Sequence, residues 1–139
     1  MKNIFLVAFL FVSVFSPVYS ATYNTWDLSK FEESNRCTGC DLSGASLNSN
    51  HSGAILDYAN LSNINGEKIN LSNAILEYAN LSGAHLQNAN FSKAWLTGAH
   101  FDGAHLFYAN FFGAKGVDLT NAVVCSVILP DGKVSGCDI

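Results

Sequence analysis

The chain has 139 residues, 13% of them charged, and a formal net charge of −4. That length holds one domain. The lack of a basic excess argues against nonspecific nucleic-acid binding, which needs a positive footprint.

The first element is a leader. Lys2 precedes an apolar run from Ile4 to Val14 broken only by Ser13, and Ser16-Pro17 ends it. Val18-Tyr19-Ser20 then places small residues where a signal peptidase reads. Residues 1–20 are therefore read as a secretory signal peptide, with cleavage between Ser20 and Ala21. The run falls short of the ~20 apolar residues that span a bilayer, so no membrane span is expected after its removal. The first cysteine is Cys37, too far from the cleavage point for a lipid anchor. A secreted or periplasmic location is expected, in a compartment where disulfides persist. Loss of Lys2 with the leader leaves the remainder slightly more acidic.

Residues 21–39 have no five-residue phase. They carry Trp26, Leu28 and Phe31, and are expected to form an N-terminal cap.

The next stretch is a repeat. From Ala54 the chain reads Ala-Ile-Leu-Asp-Tyr, Ala-Asn-Leu-Ser-Asn, Ile-Asn-Gly-Glu-Lys, Ile-Asn-Leu-Ser-Asn, Ala-Ile-Leu-Glu-Tyr, and continues so to Gly113. The first position is small or aliphatic, and the third is Leu or Phe except at Gly66. A period of five suits neither a helix at 3.6 nor a strand at 2. It suits a four-sided coil of about 20 residues, with the first and third positions inward and coils stacked at roughly 4.8 Å. Phe91 and Phe111 should share one inward column, and Leu61, Leu81 and Phe101 another. Ile64 and Ile69 should offset the missing side chain at Gly66. Leu56 comes nine residues after Leu47 instead of ten, so an irregularity is expected within 48–53. After Ala114 the phase slips, and then Leu119, Val124, Leu129, Val134 and Ile139 recur every five. Residues 117–139 are expected to form an irregular terminal coil or a C-terminal cap, with a turn at Pro130-Asp131-Gly132.

Twelve consecutive blocks of this pattern resemble the pentapeptide-repeat family, whose repeat is A-[DN]-L-x-x. The resemblance covers about Cys40 to Ala114. It implies an all-β fold, a right-handed quadrilateral β-helix over 40–116. Cys37-Thr38-Gly39-Cys40-Asp41-Leu42 resembles an entry motif of exported members, and Cys125 followed by Pro130-Asp131-Gly132 resembles a terminal motif of theirs.

The coil length lets outward positions be stacked. Ile55, Ile75 and Trp95 fall in one column, at the block position that the family fills with Asp or Asn. Tyr58, Tyr78 and Gly98 run beside it, with Asp57, Glu77 and Thr97 between. Ile55, Tyr58, Ile75, Tyr78 and Trp95 are the candidate interaction face, because aromatic residues are enriched at interfaces and contiguous apolar patches are uncommon on monomers. The competing reading is a ladder that only stabilises the sheet. His85 and His105 stack above Asn65, and two rings without an acid or thiol fall short of a metal site. Phe107, Tyr108 and Phe112 also point outward, and the tail with Val123, Val124, Val127 and Ile128 is expected to fold over them.

The cysteines form two groups. Cys125 and Cys137 are expected to form a disulfide that staples the tail. Cys37 and Cys40 are either a local disulfide or separate, since Cys40 occupies an inward position where it serves as a small core residue. A zinc site drawing on both groups would have to bridge roughly 20 Å.

No catalytic residues, cofactor or metal are expected. Outward side chains on a convex rod do not converge on a cleft. The functional expectation is a non-enzymatic scaffold that binds a protein partner or a second copy of itself, with no nucleic acid. One alternative comes from the resemblance, since some members inhibit a topoisomerase by imitating DNA. That needs dense acidic ladders, whereas the outward acids between Ala54 and Gly113 are only Asp57, Glu67, Glu77 and Asp102. Another is a small carbohydrate-directed or metal-binding β-helix.

Overall fold

The architecture is that of a computed structural model, which describes residues 23–137. The leader expected at 1–20 and the last apolar position, Ile139, lie outside those residues.

The described chain begins with one helix, α1, Thr25–Ser34. Asn24 caps it. Its side-chain oxygen accepts from the N–H of Trp26 at 3.0 Å and of Asp27 at 3.4 Å, which satisfies two of the donors a helix start leaves open. Asp27 adds an acid in the first turn, where the helix dipole favours one. The helix stops at Asn35, whose φ of 56° is left-handed, a conformation Asn tolerates better than most. α1 buries Phe31 and half-buries Leu28 against the core. Trp26 is 77% exposed and does not pack with them. Five residues before Phe31, it falls on another helical face.

From Arg36 the chain winds as a coil held by single parallel bridges in place of long strands. The bridges form four ladders along the axis. One runs Arg36, Ile55, Ile75, Trp95, Lys115. The others run through Asn60, Asn80 and His100, through Asn65, His85 and His105, and through Asn70, Asn90 and Asn110. Four ladders make four sides.

Local geometry explains the period of five. The N–H opening each block returns to the carbonyl three residues back, as Ala59 to Leu56 and Ala79 to Leu76, both at 3.1 Å. The last residue of each block has positive φ, for example Tyr58 at 59°, Asn63 at 57° and Tyr78 at 58°. A returning bond with positive φ at the third of four residues is the requirement of a type II turn. Each block is thus one short side plus one corner. Asn at the second position secures the corner, since its oxygen accepts the N–H two residues on, as Asn80 from Ser82 and Asn90 from Ser92, both at 3.0 Å. Asp41 does the same for Ser43, and the Ser43 hydroxyl bound to it holds its carboxyl below the usual range.

The first and third positions are buried throughout the regular coils. Phe91 and Phe111 stack at 4.9 Å, with Phe101 edge-on to both at 5.8 Å. At Gly66 an added Cβ would lie 2.9 Å from Leu86, 3.3 Å from Ile64 and 3.4 Å from Ile69, so these three side chains take up the space.

Two irregularities are visible in the bridges. Arg36, Asp41 and Ser46 pair nineteen residues ahead, whereas Asn50 and later positions pair twenty ahead. The missing residue lies between Ser46 and Asn50, at the start of the stretch where it was expected. At the other end His105 pairs with Val123 and Asn110 with Ile128, eighteen ahead, so the tail makes one shorter coil. In that coil Val127 is buried, while Leu119, Val124 and Leu129 pack half-buried against the core. The chain then reverses through Pro130-Asp131-Gly132, where Gly132 N–H returns to Leu129, and Val134 pairs antiparallel with Ile128. Val134 is 63% exposed and leaves the inward series. The tail stacks under the last regular coil and covers its outward aromatics only in part. Phe107 is half-buried and Gly132 lies beside the Phe112 ring, but Tyr108 and Phe112 stay exposed, which corrects the expectation that the tail folds over all three.

Candidate interaction face

The first ladder carries the candidate face. Ile55, Ile75 and Trp95 occupy successive rungs, with the isoleucines half-buried and the indole 45% exposed. Tyr58 and Tyr78 stand at the corner beside them, 64% and 53% exposed. Their rings stack at 5.1 Å and 11°. The Tyr column ends where it must. A Cβ at Gly98 would lie 2.5 Å from the Tyr78 ring, so the absence of a side chain there lets that ring lie down on the next coil. The fold therefore brings all five predicted residues onto one continuous strip. A cation closes each end of the ladder, Arg36 before Ile55 and Lys115 after Trp95. The Lys115 ammonium sits 3.9 Å from the indole ring centre, a cation–π contact.

This strip departs from the two Asn-lined faces in a second way. With Ile or Trp at the second position, the N–H groups of Asp57, Glu77 and Thr97 lack the side-chain acceptor that Asn60, Asn70, Asn80 and Asn90 supply there. One carboxylate oxygen of Asp57 is moreover buried without a hydrogen-bond partner among the described residues. A buried polar atom left unmet, as this oxygen is, costs ~1–3 kcal/mol.

The polar ladders satisfy themselves. Asn70 donates to Asn50 at 2.8 Å and Asn90 to Asn70 at 3.2 Å. His85 and His105 stack at 5.2 Å and 13°, which faces their rings toward each other and not toward a common ion. Among the described residues no three His, Cys, Asp or Glu side chains gather as a metal site.

Both cysteine groups are paired. Cys37 and Cys40, with Cα atoms 5.3 Å apart, bridge one corner of the first coil, and both are buried. Cys125 and Cys137, 4.1 Å apart at Cα, tie the terminal hairpin to the last coil.

Sequence reasoning passed over His51. With the missing residue placed before Asn50, His51 falls in the inward column of Leu71, Phe91 and Phe111, and it is 4% exposed. Its ring lies 4.3 Å from that of Phe31. Asn35 Nδ2 donates to the Ser52 carbonyl at 3.1 Å, which turns Asn35 Oδ1 toward His51 Nδ1, 2.9 Å away. Nδ1 therefore carries the hydrogen, and Nε2 accepts from the Ser49 hydroxyl at 2.8 Å. Burial pushes the imidazole below its ordinary value, against the pull of Glu32 at 3.8 Å. The nine-residue interval between Leu47 and Leu56 was the signal that could have placed His51 inside.

Residues 67–123 match the family of pentapeptide repeats, in eight copies. Among solved structures, a pentapeptide repeat protein of the Arabidopsis thaliana thylakoid lumen superposes with a TM-score of 0.62 at 21% identity, over 73% of this chain and 70% of that one. That likeness makes the fold a right-handed β-helix. Two weaker similarities are Rfr23 of the cyanobacterium Cyanothece, at 28% identity, 79% and 97% coverage and a TM-score of 0.48, and QnrB1, a plasmid-mediated fluoroquinolone resistance protein, at 18%, 70% and 76%, and 0.41. Among curated proteins none matches.

Proposed function

We propose that this protein is an exported, non-enzymatic interaction scaffold that presents the strip of Ile55, Tyr58, Ile75, Tyr78 and Trp95 to a protein partner or to a second copy of itself. The observation that carries the reading is the exposure of three large aromatics together, Trp95 on the ladder with Ile55 and Ile75 and the stacked Tyr58 and Tyr78 at the corner beside it. Tyr and Trp dominate the centres of protein interfaces, and a rigid coil loses little entropy in presenting them. In this reading residues 21–39 and 117–139 are end caps that shield the core and the ladder edges, as solenoid ends require. Export is supported by the leader-like start and by two disulfides in a short chain. Among the described residues no helix is long and apolar enough to cross a membrane.

The test is an Ile75→Asp, Trp95→Asp double variant that keeps the wild-type circular dichroism and melting behaviour. The reading predicts that it loses its partner or its self-association. Retention of every association by a folded double variant sinks it.

A further inference from the structure

The junction of α1 with the first coils assembles a nucleophile, a base and an orienting group in line. Ser49 Oγ lies 2.8 Å from His51 Nε2, and His51 Nδ1 lies 2.9 Å from Asn35 Oδ1. The directions are fixed by the outer bond from Asn35 to Ser52, so the serine hydroxyl is the donor and Nε2 offers it a lone pair. His51 is held still by burial and by the Phe31 ring, while Ser49 itself is exposed. This is the arrangement that activates a serine, a base in hydrogen-bond reach with a third group orienting it. The carboxylate of Glu32, 3.8 Å from Nε2, is placed to stabilise an imidazolium once formed. It is the charged group facing His51 from α1, and no charged group of the coil bears on the ring among the described residues. The main-chain N–H groups of Ser49 and Asn50 make no hydrogen bond within the described residues, which leaves them available to a developing oxyanion.

We propose that Ser49 is an acyl-acceptor site, a serine that takes a small acyl group from an activated ester. In the step, Ser49 Oγ attacks the ester carbonyl carbon and its proton passes to His51 Nε2. The carbon–oxygen bond to the leaving group then breaks, and the departing oxygen takes the proton from Nε2. The products are the Ser49 ester and a free alcohol or phenol, with no oxidant or further reactant. The chemistry is a single attachment per chain, which is compatible with a scaffold.

The experiment treats the oxidised, exported chain with p-nitrophenyl acetate, and separately with a biotinylated fluorophosphonate. Peptide mass spectrometry then locates the adduct. The expected result is modification at Ser49 approaching one per chain, with exposed Ser46 and Ser52 as internal references that react about a hundredfold more slowly, the scale of general-base assistance. His51→Leu matches the Leu71 rung of its column and keeps the core filled, and it should bring Ser49 down to the reference rate while the melting curve persists. Asn35→Ala should reduce the rate with the same adduct site. The rate should rise with pH about a midpoint below the ordinary histidine value of about 6.5. Equal labelling of Ser49, Ser46 and Ser52, or a folded His51→Leu chain that labels Ser49 as fast as wild type, overturns the proposal and leaves His51 a satisfied core residue.

Discussion

Leu81 and His51 occupy the same kind of inward position and should respond in opposite ways to their surroundings. Leu81 is fully buried, so Leu81→Ala should cost ~2–5 kcal/mol in a denaturant titration. At Gly66 the reverse applies. A methyl there meets Leu86 at 2.9 Å, so Gly66→Ala should destabilise by about 1–3 kcal/mol through overpacking. His51 links stability to pH. Its imidazole is pushed down by burial, so the unfolded chain takes up a proton that the folded chain refuses. Stability from this group is therefore present above about pH 6.5 and falls as pH drops through the window between the unfolded and folded values. Urea midpoints across that window should slope in the wild type and lose this slope in His51→Leu. An unchanged slope would assign the effect to other groups.

Among the elements, the coil was legible and the ends were less so. A strict recurrence of small and large apolar residues over twelve blocks leaves only a four-sided coil, and the inward columns of Phe91, Phe101 and Phe111 come from counting. α1 was missed because its sequence has a single buried residue, Phe31, and so no apolar stripe. Its legible signals were the Asn24 cap and Asp27. The exposure of Trp26 could not be counted out, because it depends on the angle at which α1 meets the coil. The tail kept its apolar phase through Leu129 but lost it at Val134, where the hairpin bond from Leu129 to Lys133 overrides the coil. That hairpin is tied by Cys125 and Cys137. A loop of that size contributes ~3 kcal/mol in the chain-entropy model, so selective reduction should raise hydrogen exchange at Val127 and Ser135, whose ladder bond depends on the staple, while Leu76 and Leu86 stay protected. Uniform loosening would mean that the coil and tail unfold as one unit.

At the scale of the whole molecule, the coil is a rod with four unequal sides. Two carry mainly Asn, whose side chains bond to their own corners, and a third carries Asn65 with the stacked rings of His85 and His105. The fourth trades those hydrogen bonds for Ile55, Ile75 and Trp95 and leaves an oxygen of Asp57 unmet. The positions on that side could be read from spacing alone. Exposure could not, because Ile55 and Ile75 sink into the sheet while the Tyr58 and Tyr78 rings stand above it, and only packing decides which. A side that gives up internal stability for exposed aromatics is expected to recover it on binding.

The measurement that bears most directly on this account is photocrosslinking in the exporting cell, with a photoreactive residue placed at position 75 or 95 and, for comparison, at position 70 on a polar side. The account predicts one dominant product from 75 and 95, either a single partner or the chain itself, and none from 70. A folded, exported protein that yields no specific product from 75 or 95, or the same products from all three positions, would contradict it and leave the aromatic strip as a stabilising ladder.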